Sequence, residues 1–281
     1  MKKLWGAVLS CVLVVSCTMK DDQKEAQAAV EAESAPSIFS FLPENDYDQL
    51  SYLQTGNMTE QEFKTVLAVA YKIYNPIIKK FGATFYVKGN FADPTVNAYA
   101  STQGSDWTVQ FFGGLAKQEY MTVPGFTLVV CHEIAHLVGG FPFYSGMTLA
   151  VEGQADYMGA QVCTRKMFES EELKNYDHVI YDYCDFEGIE SNESCNLTLD
   201  GGLSLGRVLA SLTGEKLPTF ETPSKVIMKR TMQKHPPAQC RTDSYKAGAL
   251  CAKRWNDAVI PSSKLKAAPF SCEKPRCWYA G

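Results

Sequence analysis

Two histidines four residues apart, with a glutamate beside the first, have the spacing in this chain best suited to chemistry. They lie in the run His132-Glu133-Ile134-Ala135-His136, an HExxH motif. On a helix, residues four apart share a face, so two imidazoles can reach one metal ion. Glu133 projects beside them, where a carboxylate can take a proton from a water activated at the metal. That is the chemistry of a zinc hydrolase. The plainer alternative is a pair of helix-face histidines, one hydrogen-bonded and one exposed. The flanks argue against it, because Phe126 to Val130 and Leu137-Val138 make the helix apolar nearly all round, the pattern of a buried helix. Two histidines and a glutamate buried without a partner would be costly. Gly139-Gly140 then ends the helix, and Glu152 and Asp156 follow on a second helical stretch, adding two carboxylates on one face. Cys131, next to His132, points about 100° away from the histidine face and reads as structural.

The elements that must position these groups can be read around them. Thr59 to Glu62 forms a capping box, and Phe63, Val66, Leu67, Ala70, Tyr71 and Tyr74 continue it at helical spacing. Pro76 should kink or end this helix near Asn75. Three short strands are expected at 84–87, 96–100 and 107–112, separated by Gly, Asn, Asp and Pro. Pro124 opens the HExxH helix at a position where proline is tolerated. A small sheet beside that helix would leave one edge open, where an extended peptide could dock by adding a strand. The second site helix should run over 149–168. Residues 169–196 read as an acidic, tyrosine-rich surface excursion, and the lone His178 within it as solvated. Further helices are expected over 203–212 and from about Cys240 to Trp255.

Composition fits a globular protein: 281 residues, 46% hydrophobic and 21% charged. Nothing suggests nucleic acid, since there is no basic patch and no interleaved aromatic and arginine run. Lys2 and Lys3 precede an apolar run from Leu4 to Val15 that is too short to span a bilayer. Val14-Val15-Ser16-Cys17 resembles a lipobox, so residues 1–16 are expected to be a lipoprotein signal and Cys17 the lipidated N-terminus, a plain signal peptide being the alternative. Without residues 1–16 the chain has 25 basic and 31 acidic residues, a formal charge of −6. Thr18 after the cysteine favours the periplasmic face of the outer membrane if the source is Gram-negative. Residues 17–50 then form a flexible tether, polar from Thr18 to about Ser37, with a catalytic body over 51–260 and a cysteine-containing extension over 261–281. Eight mature cysteines fit an oxidising compartment and up to four disulfides. Cys184–Cys195 and Cys272–Cys277 are the simplest local pairs. Cys240 and Cys251 are too far apart on one helix to bridge each other.

Several features together resemble the HtpX-type zinc metallopeptidases, a family that includes the type 1 CAAX prenyl protease and the periplasmic protease BepA. They are the HExxH at His132–His136, the ExxAD at Glu152–Asp156, Asn97-Ala98-Tyr99, and His235-Pro236-Pro237 with Arg241. The likeness covers roughly Phe81 to Arg241. The chain departs from the family in its 15 residues between His136 and Glu152, in its cysteines, in the extension after Trp255 and in lacking a transmembrane hairpin.

The resemblance implies an α+β, mainly helical zincin-like fold with a small sheet beside the HExxH helix. It implies one Zn2+ per chain on His132, His136 and Glu152, with Glu133 as general base and Asp156 orienting His132. His235 or Arg241 would stabilise the oxyanion, or His235 would enter the zinc shell. The plainer reading gives Arg241 an ion pair with a carboxylate. Asn97, Ala98 and Tyr99 would hold substrate backbone, unless they simply belong to a core strand. The expected function is a lipid-anchored zinc endopeptidase acting on unfolded or misassembled envelope proteins. The alternatives are a binding or chaperone-like lipoprotein and a structural zinc site.

Overall fold

The computed structural model describes residues 37–43, 56–179, 181–185, 192–251 and 272–281. The signal, the lipobox with Cys17, the tether before Ser37 and the stretch 252–271 lie outside these residues. The described chain is α+β, with a small four-stranded mixed sheet and helices carrying most of the core.

The first helix, α1 (Glu60–Lys79), starts at the expected capping box, with Thr59 and Glu62 each satisfying the other's backbone N–H. It runs through Pro76 rather than stopping at Asn75. The proline falls in the last turn, where only one backbone hydrogen bond is given up, and buried Ile78 holds the turn down. The sheet consists of β1 (Ser37–Ser40), β2 (Thr84–Asn90), β3 (Ala98–Gln103) and β4 (Asp106–Phe112), in the order β1-β3-β4-β2. β3 and β4 pair antiparallel, whereas β2 pairs parallel to β4. Residues 38–42 therefore belong to the folded body, although the sequence suggested tether up to residue 50. Ile38-Phe39-Ser40-Phe41-Leu42 is apolar at four of five positions, and Phe41 and Leu42 are wholly buried. That burial more than offsets the cost of ordering so short a segment.

After the short helix α2 (Gly113–Ala116) comes α3 (Val123–Val138), capped by Thr122, with Pro124 in its first turn. Every residue from Val123 to Leu137 is buried, as its all-round apolar sequence required. Its Phe126 packs on Phe63 of α1 and Phe111 of β4. The second site helix begins at Glu152, later than expected. It comprises α4 (Glu152–Met158), a π-helical turn at Gly159–Cys163 and α5 (Thr164–Phe168). A disulfide between Cys131 and Cys163 ties it to α3, which gives Cys131 the structural role read for it. Helix α6 (Asn192–Thr213) is much longer than expected and claims the end of the supposed excursion. His178 caps a local turn by bonding the Tyr176 carbonyl.

The last helix, α7 (Ala238–Ala249), ends short of Trp255. Cys184–Cys195 forms as expected, but Cys272–Cys277 does not. Instead Cys240 bonds Cys277 and Cys251 bonds Cys272, fastening the C-terminal residues to both ends of α7. Trp278 is then wholly buried against Gly153, where a Cβ would come within 2.1 Å of the indole ring. The C-terminal segment thus packs against the helix that carries Glu152.

Candidate metal centre

The chain must return from His136 to Glu152 in 15 residues, and backbone hydrogen bonds guide it. Gly139 ends α3, and Gly140 takes a φ of 72°, the left-handed region that glycine enters without strain. Phe143 and Ala150 then bridge antiparallel, and Tyr144 N–H donates to the Leu149 carbonyl at 2.9 Å. Ala150 N–H returns to the His136 carbonyl (3.0 Å), and Val151 N–H to that of Pro142 (3.0 Å). Gln154 of α4 fixes the turn from the other side by donating to the Gly139 carbonyl (2.8 Å). Glu152 therefore opens a helix directly opposite the two histidines, in a first turn that favours a carboxylate.

His132, His136 and Glu152 come together fully buried, with their donor atoms all within 4.8 Å of one another, and this group could hold a metal ion. The two Nε2 atoms are 2.9 Å apart. Glu152 Oε2 is 3.3 Å from Nε2 of His132, and Oε1 is 3.5 Å from that of His136. Ligands about 2.0–2.1 Å from a tetrahedral zinc lie roughly 3.3 Å apart, so the spacing suits such an ion.

The hydrogen bonds behind the imidazoles make the same point. His132 Nδ1 faces Asp156 Oδ1 at 2.8 Å, and His136 Nδ1 faces the Ala150 carbonyl at 2.7 Å. These nearer partners only accept, whereas Arg241 Nη2, a donor, lies farther from His132 Nδ1 at 3.3 Å. Each Nδ1 therefore carries the proton, and each Nε2 of a neutral ring presents a lone pair. Two lone pairs 2.9 Å apart repel unless a cation or a proton lies between them. Burial acts to lower the His132 pKa, but Asp156 outweighs it and raises it to about 9. His136 is pushed down to about 4 by burial, which keeps it neutral and ready to ligate. Burial also acts to raise Glu152, yet the facing histidines outweigh it and hold this carboxyl well below the usual range. Two imidazoles and a carboxylate so arranged fit a divalent ion.

Glu133 is different. Its carboxylate is fully buried, and among the described residues neither oxygen has a hydrogen-bond partner. Burial pushes it up to about 8, with His132 pulling the other way.

Arg241 is not free to meet a substrate. Its guanidinium forks onto Asp156, with Nε 2.9 Å from Oδ2 and Nη2 2.8 Å from Oδ1, and only 2% of the residue is exposed. Of its two readings, the ion pair is the one realised, and Nη2 also lies 3.3 Å from His132 Nδ1, so the guanidinium bears on His132 both directly and through Asp156. His235 comes to 3.5 Å from Glu152 Oε2 and is one-quarter exposed, with Nε2 donating to the Ser40 carbonyl at 2.8 Å. It stands beside the ligand trio rather than within it.

The β3 edge is not open. Asn97 Oδ1 accepts from Leu42 N–H (3.0 Å), and the Ala98 carbonyl accepts from Phe41 N–H (2.9 Å). Tyr99 packs edge-on against Phe112. All three expected substrate-holding residues are therefore occupied by the chain itself. The reason is steric: β1 already pairs along that edge.

Tyr144 was not foreseen, yet its hydroxyl donates to Glu152 Oε1 at 2.7 Å. Its only sequence signal was an aromatic residue in the loop leading to Glu152. Compared with known proteins, the chain matches no protein-family model, no curated protein and no solved structure.

Proposed function

We propose that this protein is a zinc-dependent endopeptidase of zincin-like fold. The observation that carries the reading is Glu133, a buried carboxylate with both oxygens uncommitted, one residue from a metal ligand. A purely structural metal site has no use for such a group, and leaving it unpaired costs stability. A hydrolase uses it. A zinc ion on His132, His136 and Glu152 would supply a Lewis acid for the peptide carbonyl and lower the pKa of a nearby water.

The chain's own residues do the rest. Glu133 takes the proton from the attacking water and returns it to the leaving amine nitrogen. Burial, which raises its pKa, favours a group that can hold the proton between the two steps. His235, whose Nε2 already donates to a peptide carbonyl, is placed to donate to the oxygen on which charge develops. Asp156 and Arg241 hold the His132 ring in register. Tyr144 fixes one oxygen of Glu152 and leaves the other for the ion.

Lipidation at Cys17, anchoring at the outer membrane and unfolded envelope proteins as substrates belong to the same proposal. They rest on the lipobox-like sequence and on the four disulfides of an oxidising compartment.

The test is Glu133→Gln, which keeps shape and removes the base. The zinc-loaded wild type is expected to digest casein, and the variant to do so about 10²–10⁴-fold more slowly with unchanged zinc content. Equal digestion by both, or by neither, would refute the peptidase reading.

A further inference from the structure

The strand that closes the sheet beside the metal centre is bound there as a peptide would be. Ser37–Leu42 lies along β3, an arrangement in which backbone hydrogen bonds give affinity and alternate side chains give selectivity. Several backbone groups of its inner half are met by residues around the site. Ser40 gives its carbonyl to His235 (2.8 Å), and Phe41 gives its carbonyl to Arg241 Nη1 (3.1 Å). Leu42 takes both ends of the Asn97 amide, at 3.0 and 3.4 Å.

The side chains reach the metal ligands directly. Phe39 stacks on Tyr144 with centroids 4.7 Å apart and lies 5.7 Å from the His136 ring. Phe41 meets His132 edge-on at 5.0 Å. Burial divides the segment in two. Phe41 and Leu42 are sealed into the core, whereas Phe39 and Ser40 are only half-buried, as is His235. One end is an anchor sealed in the core, and the other is a half-buried contact held by its strand pairing with β3, one stacked ring and one imidazole.

We propose that Ser37–Leu42 is an intramolecular ligand of the metal site's peptide groove. Substrates bind by displacing its Phe39–Ser40 portion, and they are selected for an aromatic side chain that takes the place of Phe39 against Tyr144. The substrate half of this statement rests on the peptidase reading; the occupancy half does not. Because the ligand is tethered, a competitor faces an effective concentration on the order of millimolar. Native substrates therefore need an aromatic residue in an extended, unfolded stretch, and loosening the strand raises turnover.

The test uses the full mature, zinc-loaded chain and a fluorescein-labelled peptide with the sequence of Ser37–Pro43. Binding is measured by anisotropy in the Glu133→Gln background, so that hydrolysis plays no part. Adding Phe39→Ala is expected to tighten probe binding about tenfold, the scale of one lost aromatic contact. A probe with alanine in place of its first phenylalanine should lose that gain. With Glu133 intact, Phe39→Ala should raise kcat/KM for an aromatic-containing fluorogenic peptide by a similar factor. Phe39→Leu serves instead if the alanine variant does not fold.

No probe binding to either variant would mean that the strand is a permanent part of the sheet, and the proposal would be wrong even if casein were digested. Probe binding that tightens as expected, with no hydrolysis by any variant, would sustain the groove and discard the peptidase.

Discussion

Consecutive residues of α4, Asp156 and Tyr157, face two different buried cations. Arg241 is 2% exposed and Lys274 4%, so both have left water almost completely. Arg241 forks onto Asp156, gives a further hydrogen bond to the Phe41 carbonyl, and has its charge over the Phe41 ring at 4.4 Å. Burial works against its charge, but Asp156 outweighs burial and holds its pKa above the ordinary arginine value. Among the described residues, Lys274 has no hydrogen-bond partner for its ammonium. The rings of Tyr157, Trp278 and Tyr279 lie 5.7, 6.0 and 4.9 Å away, and burial pushes it down to about 8. Equal depth thus produces opposite behaviour, and the difference is a carboxylate. Beside the metal centre a fixed charge is needed to hold His132, so the chain supplies its counter-charge. In the C-terminal cap aromatic faces take the place of a counter-charge, and burial holds the lysine well below its ordinary pKa.

The largest effect is expected from removing that counter-charge. Asp156→Ala leaves Arg241 buried and unpaired and frees the His132 ring. The metal-free variant should be about 3–5 kcal/mol less stable than wild type in urea unfolding, with zinc affinity about 10–100-fold weaker in a chelator competition. A loss below about 1 kcal/mol would show that the pair is no better than a surface salt bridge, and the contrast with Lys274 would collapse.

The two regions were not equally readable beforehand. His132, His136, Glu152 and Asp156 could be found because helical spacing is local and puts i and i+4 on one face. Arg241 could be singled out, but not its partner, which lies 85 residues away and is brought in by the packing of α7 against α4. Tyr144 sits in an irregular turn, where no periodicity reveals where a side chain points. β1 was lost in the polar tether because four residues are too few to establish a period. Only the pair separated by 11 residues, Cys184–Cys195, was legible among the disulfides. The other three close over 21 to 37 residues, and their partners are set by helix packing. Lys274 carried no sequence signal, since its depth depends on disulfides that fold the C-terminus inward.

Removing the unpaired cation should have a smaller effect of opposite sign. Unfolded, the Lys274 amine keeps its proton up to about 10.5, whereas folded it gives the proton up at about 8. Between these values the unfolded chain binds more protons, so stability rises with pH across the window. Below 8 the whole cost of burying the charge is present. Lys274→Met keeps the length and drops the charge. It is expected to stabilise the protein by about 1–3 kcal/mol at pH 7, with the gain fading to nothing above the unfolded value. Paired urea titrations at pH 7 and at the alkaline end would check it. A gain independent of pH would mean that shape rather than charge is responsible.

Arg241→Lys gives the finest cut, because it puts the cation of one region into the setting of the other. A lysine keeps the charge opposite Asp156 but is a point donor, so the fork and the bond to the Phe41 carbonyl cannot both survive. The expected loss is about 1–2 kcal/mol, with zinc affinity reduced by no more than about tenfold. Its pH profile carries the sharper information. If a facing carboxylate decides how a buried cation titrates, the new ammonium stays protonated through the range in which Lys274 loses its proton. The stability difference from wild type is then flat between pH 8 and 10.5, the very window in which Lys274→Met changes most. A difference that shrinks across that window instead would show the substituted lysine discharging despite Asp156. Depth, not the partner, would then govern both cations.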